Sequence, residues 1–251
     1  MKVSLITVCF NSEKTIRCTI ESVLSQKYQD IEYIIVDGAS SDGTMDIVAE
    51  YGDRIARVIS EPDKGIYDAM NKGVQAATGA IVGILNSDDY YQNGLVVSDV
   101  VEAFSQTEID MVFGDVVFVA SGNLDVVRRH YSAGHFRPWK LRFGWMPPHP
   151  GTFVKRSLYT KSGLYRTDFK IAADFEIFVR WLVVHRASYK WIDKVFVRMR
   201  TGGASTGGIR SSVLLNQEIV KACKINNVST NLLFVLSKIP FKLLEMIGRP
   251  S

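Results

Sequence analysis

Through the first half of the chain, short apolar runs alternate with stretches in which apolar residues recur every three or four positions. Val3–Cys9 reads as a strand, and Ser12 is placed to cap a helix over 12–27. A second strand at 31–36 ends in Asp37-Gly38-Ala39-Ser40-Ser41-Asp42-Gly43-Thr44, after which a helix runs to about Tyr51. A strand at 55–60 precedes a helix over 65–77, where Ile66, Met70 and Val74 repeat at helical spacing. Residues 80–85 form the fourth strand. Strands that alternate with helices of this length predict an α/β fold with a parallel sheet covered on both faces.

Beyond about residue 108 the rhythm breaks. Segments 111–113 and 116–120 read as strands, and Ser121-Gly122-Asn123 turns the chain into another at 124–129. Helix patterns over 155–162 and 175–185, then a strand over 189–197, predict a mixed or antiparallel extension packed on the first half. Gly202-Gly203-Ala204-Ser205-Thr206-Gly207-Gly208 reads as a flexible loop.

Composition narrows the class. With 251 residues, 47% hydrophobic and 22% charged, the chain is ordinary for a globular enzyme with a full core. Cys9, Cys18 and Cys223 are odd in number and have no paired spacing, so buried thiols in a reducing, cytoplasmic setting are expected rather than a cysteine metal site. Lys2 leads directly into a short strand, unlike a secretory leader, and no uninterrupted apolar run is long enough to cross a bilayer. Charge divides sharply. Residues 1–127 hold 8 Lys/Arg against 20 Asp/Glu, whereas 128–251 hold 22 against 6. An acidic half holding a metal and a basic half facing anions suit phosphate-bearing substrates. No nucleic-acid motif accompanies the basic residues, so nucleic acid is not an expected partner.

The chemistry concentrates at strand ends. The fourth strand closes on Asn86-Ser87-Asp88-Asp89, two carboxylates at the end of an apolar run. Like charges that close repel, and a hard divalent ion, Mn2+ or Mg2+, would relieve them while leaving positions open for phosphate oxygens. A solvated loop is the plainer alternative. Asp37 closes the second strand and Asp63 follows the third, so three acidic clusters share the sheet edge where open α/β sheets bind ligands. Asp42, before Gly43-Thr44, reads as a helix cap.

Four stretches in order carry a resemblance: residues 4–11 (Ser-Leu-Ile-Thr-Val-Cys-Phe-Asn), 36–44 (Val-Asp-Gly-Ala-Ser-Ser-Asp-Gly-Thr), 63–73 (Asp-Lys-Gly-Ile-Tyr-Asp-Ala-Met-Asn-Lys-Gly) and 86–89. On them the chain resembles a family 2 glycosyltransferase of the bacterial kind that builds surface polysaccharide. The second half matches weakly, through Ala173-Asp174-Phe175-Glu176 and a Gly-Gly-x-Ser at 202–205. The resemblance implies a GT-A fold and inverting transfer from a nucleotide sugar, with a UDP-sugar as donor and a saccharide or lipid-linked saccharide as acceptor. It implies that Asp37 reads the base, usually uracil, and that Asp88 and Asp89 are the pair contacting the ribose and the metal, with Asp89 ahead of Asp88 as the direct metal ligand. Thr7, Val8 and Asn11 would line the nucleotide, and Asp63 and Lys64 would contact nucleotide or phosphate. Asn71 and Lys72 stand open between that role and an exposed helix face. The family's base lies in a Glu-Asp pair; here Ala173 replaces the Glu, which assigns the base to Asp174 ahead of Glu176, with a helix cap as the other reading of Asp174.

On this basis residues 1–115 are expected to bind the nucleotide sugar, 116–225 to form the acceptor side, and 226–251 to form a basic amphipathic C-terminal helix. Arg198, Arg200 and Arg210 flank the Gly-rich loop and are candidates to fold over the diphosphate, Arg200 foremost, with the loop as a lid. His149, in a Pro-rich turn, touches acceptor or metal, or is structural. Trp139, Trp145 and Trp181 offer sugar-stacking faces or packing. In the C-terminal stretch Asn231, Lys238, Lys242, Glu245 and Arg249 share one helical face, and Pro240 interrupts it. That segment would lie on the inner face of the cytoplasmic membrane, on the protein's own core, or on a second subunit in a homodimer. A nucleotidyltransferase is the nearest rival, but Cys9-Phe10-Asn11-Ser12 lacks a Gly- and Arg-rich loop. A non-catalytic nucleotide-sugar-binding partner is the other.

Overall fold

A computed structural model describes residues 1–201 and 208–237 of the chain. Strands β1 (Val3–Cys9), β2 (Ile31–Asp37), β3 (Arg57–Ser60) and β4 (Ile81–Asn86) lie in the order β3-β2-β1-β4, all parallel. They are joined through α1 (Ile16–Leu24), α2 (Thr44–Ala49) and α3 (Ile66–Ala76), and α4 (Val96–Gln106) follows β4. Alternation along β1 and β2 sends Val3, Leu5, Tyr33 and Ile35 into the apolar cluster shared with α1, α2 and α4. Ile6, Val8, Ile34 and Val36 enter the opposite cluster with α3. Each fully buried Val or Ile contributes roughly 1.5–3 kcal/mol. Gly73 lets α3 approach β1 closely, since a Cβ there would lie 2.4 Å from Ile6 Cγ2.

The sheet continues as β4-β8-β6-β9-β5, where β5 is Tyr90–Tyr91, β6 Met111–Ala120, β8 Thr152–Lys155 and β9 Tyr189–Arg200; β7 (Asn123–Tyr131) pairs with β6. β8 runs antiparallel between β4 and β6, and β9 runs parallel to β6. This is the mixed extension that the broken rhythm predicts, on a sheet that is otherwise parallel. The expected strands at 111–113 and 116–120 are one strand, β6, whose register against β9 shifts between Phe113 and Val116. Gly114 sits in that irregularity because a Cβ would meet the Phe196 ring at 2.5 Å.

The cluster beneath Ile6 and Val8 is completed by α5 (Arg156–Ser162), α6 (Ala173–Val179), α7 (Ile209–Ile225) and α8 (Leu232–Leu236). The helix expected over 175–185 is α6 followed by a π turn at Arg180–Val184, marked by the His185 amide donating to the Arg180 carbonyl at 2.9 Å. Ser12 does not cap α1. Its hydroxyl donates to the Phe10 carbonyl and meets the Ser87 hydroxyl, while α1 begins only at Ile16. The Gly-rich segment 202–207 and the polar face from Lys238 to Arg249 lie outside the described residues.

Candidate active site

Register sets the site. Cys9 pairs with Asp37, Asp37 with Ser60, and Val8 with Asn86, so the ends of β1 to β4 line up along one edge. Over that edge opens a cavity of about 980 Å3. Val8, Phe10, Asn11, Asp63, Asp88 and Asp89 form one wall, and His149, Lys170, Asp174 and Arg200 come from the second half.

At the end of β4 the chain turns sharply, with the Asp89 amide donating to the Asn86 carbonyl at 3.1 Å. Thr19 of α1 fastens this turn, its hydroxyl shared between the Ser87 carbonyl (2.9 Å) and the Asp89 carbonyl (2.7 Å). The turn carries the Asp89 side chain inward to 1% exposure. Asn86 Nδ2 reaches Asp89 Oδ2 at 3.4 Å, but Asp89 Oδ1 and Asn86 Oδ1 are buried with no hydrogen-bond partner among the described residues. Burial, then the neighbouring Asp88, pushes the Asp89 carboxyl well above the usual carboxylate range, and burial also raises Asp88. Arg200 closes this corner, donating through Nε to the Asp88 carbonyl at 3.0 Å with its guanidinium over the Tyr90 ring.

Two orphaned oxygens beside paired carboxylates fit a hard divalent cation. Among the described residues no group of three or more His, Cys, Asp or Glu is arranged to hold a metal. A cation held by Asp88 and Asp89 would therefore keep coordination positions for ligand oxygens. The cavity lining also includes Glu13, Asp42, Asp63 and Asp174 against Lys14, Lys170 and Arg200, so a diphosphate needs added positive charge to enter.

Opposite stands Asp174, in the first turn of α6 and half-buried. Its Oδ1 accepts from the Phe175 amide at 2.7 Å and from the Tyr67 hydroxyl at 3.5 Å. Burial raises its carboxyl to about 6, a value suited to a proton acceptor near neutral pH. Glu176, two positions on, is a different object. Arg180 contacts both of its oxygens (3.1 and 2.6 Å) and Asn226 adds a third bond. It is internal scaffold and does not line the cavity.

Three expected contacts fall elsewhere. Thr7 is buried on the far face of β1, where its hydroxyl accepts from Tyr33. Lys64 is exposed and off the cavity wall, its amide bound by Asp68. Asp37 lies one layer behind the wall, fully buried, where its carboxylate accepts from the Ser40 amide and hydroxyl and from the Ser60 hydroxyl. It shapes the 38–43 loop, and Asp63 occupies the cavity side, so close that a Cβ on Gly38 would lie 2.4 Å from Asp63 Oδ2. Asn11, at φ 48, accepts from the Ser41 amide and holds the same loop while lining the cavity.

Other candidates resolve into scaffold. Asn71 clamps both backbone groups of Tyr165, and Lys72 ties down Glu61 and the Pro62 carbonyl. Arg198 is engaged by Gln92 and the Leu124 carbonyl. Trp181 is buried in the core, and Trp139 is exposed away from the cavity. His149 does reach the cavity. Its Nε2 lies 2.8 Å from the Tyr165 hydroxyl, and desolvation lowers it to about 4, which keeps it neutral.

Two contributors escaped the sequence. Phe10 is 61% exposed at the mouth, and an aromatic at a strand end beside Asn11 was its only signal. Glu218 of α7 accepts from the amides of Lys170, Ile171 and Ala172 at 2.8–2.9 Å, anchoring the loop that leads into Asp174. Nothing near Glu218 in sequence marks that role.

The family described as "Glycosyl transferase family 2" matches residues 4–171. An uncharacterized glycosyltransferase of Mycobacterium tuberculosis is 36% identical over 186 residues, covering 72% of this chain and 69% of that protein. The Escherichia coli UDP-Glc:alpha-D-GlcNAc-diphosphoundecaprenol beta-1,3-glucosyltransferase WfaP is 30% identical over 182 residues, 72% of this chain and 68% of its own. Among solved structures, S. aureus TarS in complex with UDP-GlcNAc superposes with a TM-score of 0.69 at 17% identity, over 99% of this chain and 73% of that one. The mannosyltransferase PcManGT from Pyrobaculum calidifontis, in complex with GDP-Man and Mn2+, gives 0.64 at 19% identity over 98% and 73%. At these identities the structural likeness speaks for the fold, which is GT-A.

Proposed function

The chain belongs to glycosyl transferase family 2 and is a transferase enzyme, and from that premise we propose that it transfers a sugar, with inversion, from a UDP-sugar to a hydroxyl of a saccharide or lipid-linked saccharide during surface polysaccharide assembly. The reading rests on Asp89, which lines the same cavity as Asp174 and keeps one buried oxygen that no described residue hydrogen-bonds. UDP-Glc stands in the name of the relative WfaP, the TarS structure is a complex with UDP-GlcNAc, and the PcManGT structure is a complex with GDP-Man and Mn2+. WfaP's acceptor is lipid-linked by its name.

In this proposal residues 1–115 hold the donor and 116–225 supply the acceptor side. Asp89, with Asp88, would hold Mn2+ or Mg2+, which would supply positive charge to the departing diphosphate. Arg200 adds a cation at the same corner. The nucleotide lies along Val8, Phe10 and Asn11, with Asp63 at the base end and Asp37 supporting the loop behind it. Asp174 takes the acceptor hydroxyl's proton as attack proceeds from the face opposite the diphosphate, which inverts the anomeric centre. Tyr67 and the Phe175 amide hold one carboxylate oxygen, leaving the other for the acceptor. None of the described helices is long and apolar enough to cross a membrane; the proposed place of action is the inner face of the cytoplasmic membrane.

Titration calorimetry with Mn2+ against UDP-, GDP- and dTDP-sugars tests the donor: UDP-sugars bind tightest, and preference for guanine or thymine overturns that assignment. Asp174→Asn tests the base. Turnover falls about 10²–10⁴-fold with donor binding intact, and unchanged turnover removes Asp174 from the role. An intact protein that binds donor yet turns over none would be a binding partner instead.

A further inference from the structure

Away from the cavity, one surface combines projecting apolar side chains with cations, and the described segments that build it carry no carboxylate. The 3-10 turn Pro138–Phe143 presents Trp139 at 61% exposure. Phe143 meets the Trp139 ring edge-on at 5.9 Å and stacks on Phe234 of α8 at 5.2 Å. Beside Phe234, α8 carries Leu232 and Leu233, the latter 77% exposed. Arg142 lies over the rings of both Phe143 and Phe234, and Lys140 Nζ is 5.8 Å from the Trp139 centroid. A groove of about 450 Å3 alongside is lined by Trp139, Arg142, Leu182, Val183 and exposed Arg186.

The charge pattern is one-sided. The three segments that build this surface, 126–167, 177–192 and 219–237, contain no Asp or Glu, and the first alone holds nine Lys/Arg. Apolar side chains left in water among cations suit a partner that is apolar inside and anionic at its face. Two copies meeting here would oppose like charges.

We propose that this patch seats the protein on an anionic bilayer. Trp139, Leu233 and Phe234 enter the headgroup region, and Lys140, Arg142 and Arg186 meet lipid phosphates. Aromatic rings flanked by Lys and Arg are the composition that partitions to that boundary, and neutral lipid offers the cations no counter-charge.

The test is flotation of the full chain with vesicles of phosphatidylcholine, alone or mixed with phosphatidylglycerol, across salt concentrations. Binding is expected to the mixed vesicles only, and to weaken as salt rises. Trp139→Ala with Leu233→Ser, and separately Lys140→Glu with Arg186→Glu, each lower the bound fraction about tenfold, with unchanged far-UV spectrum and melting temperature. Equal binding to both vesicles, binding that neither variant moves, or no binding overturns the proposal. A dimer in sedimentation that Trp139→Ala dissolves, without vesicle binding, would assign the surface to a second copy and also overturn it. No donor or acceptor is needed, so the result is independent of the proposed transfer.

Discussion

Asp89 and Glu176 are equally buried, each with about 1% of its surface exposed, but the protein treats them differently. Glu176 sits in a shell built by its own chain: Arg180 contacts both oxygens, and Arg180 is held in turn by the carbonyls of Ser162 and Leu164. Asp89 has a distant amide, a neighbouring carboxylate and one oxygen that no described residue hydrogen-bonds. A carboxylate neutralised from within belongs to the scaffold. One left short at the bottom of a cavity marks where a ligand's charge is needed.

That contrast is open to direct attack. Asp89→Asn removes the uncompensated member, and turnover should fall on the order of 10³-fold with loss of the Mn2+ binding heat. Melting temperature in the absence of metal should hold or rise, because a desolvated like charge has gone. A drop of several degrees would make Asp89 scaffold after all. Glu176→Gln does the reverse: it leaves Arg180 buried without its partner, costing about 3–5 kcal/mol in urea unfolding. Turnover per folded molecule should change only a few-fold; an inactive but equally stable variant would erase the distinction.

Glu218→Gln probes the ground between them. It weakens the three amide bonds at 170–172 for about 1–3 kcal/mol of stability. Because those bonds set the loop before Asp174, kcat should fall more than donor affinity, and an affinity loss with unchanged kcat would contradict that link. The smallest effect is in pH. With its carboxyl raised to about 6, Asp174 is protonated below that value and accepts no proton, so turnover should drop about tenfold per pH unit on the acid side. The same shift means the folded state gains stability as pH falls from about 6 toward the unfolded carboxyl's value. A rate independent of pH across that window would show that Asp174 is not the base.

Much of the first half was legible. Apolar runs of strand length, helical repeats and strand-end acids are local patterns, and β1 to β4, α2, α3 and the Asn86–Asp89 turn appear within a few residues of expectation. Helix α4, strand β8 and helix α7 carried weaker patterns and emerge only in the structure. Site assignments were less transparent. Thr7 reads as a ligand contact by the family resemblance, and Asp37 by that and by its strand-end position, yet Tyr33, Ser40 and Ser60 take their hydrogen-bonding capacity.

By itself, then, the chain's order of residues determined the alternating architecture, the row of acids along one sheet edge and the division of charge, since each follows from side-chain periodicity or turn chemistry within a short window. Only tertiary packing decided which of those acids are satisfied and which are left short of donors. A buried carboxylate is settled by whatever donors folding brings to it. For Glu218 those are amides 46 to 48 residues away, and for one oxygen of Asp89 the described residues bring none.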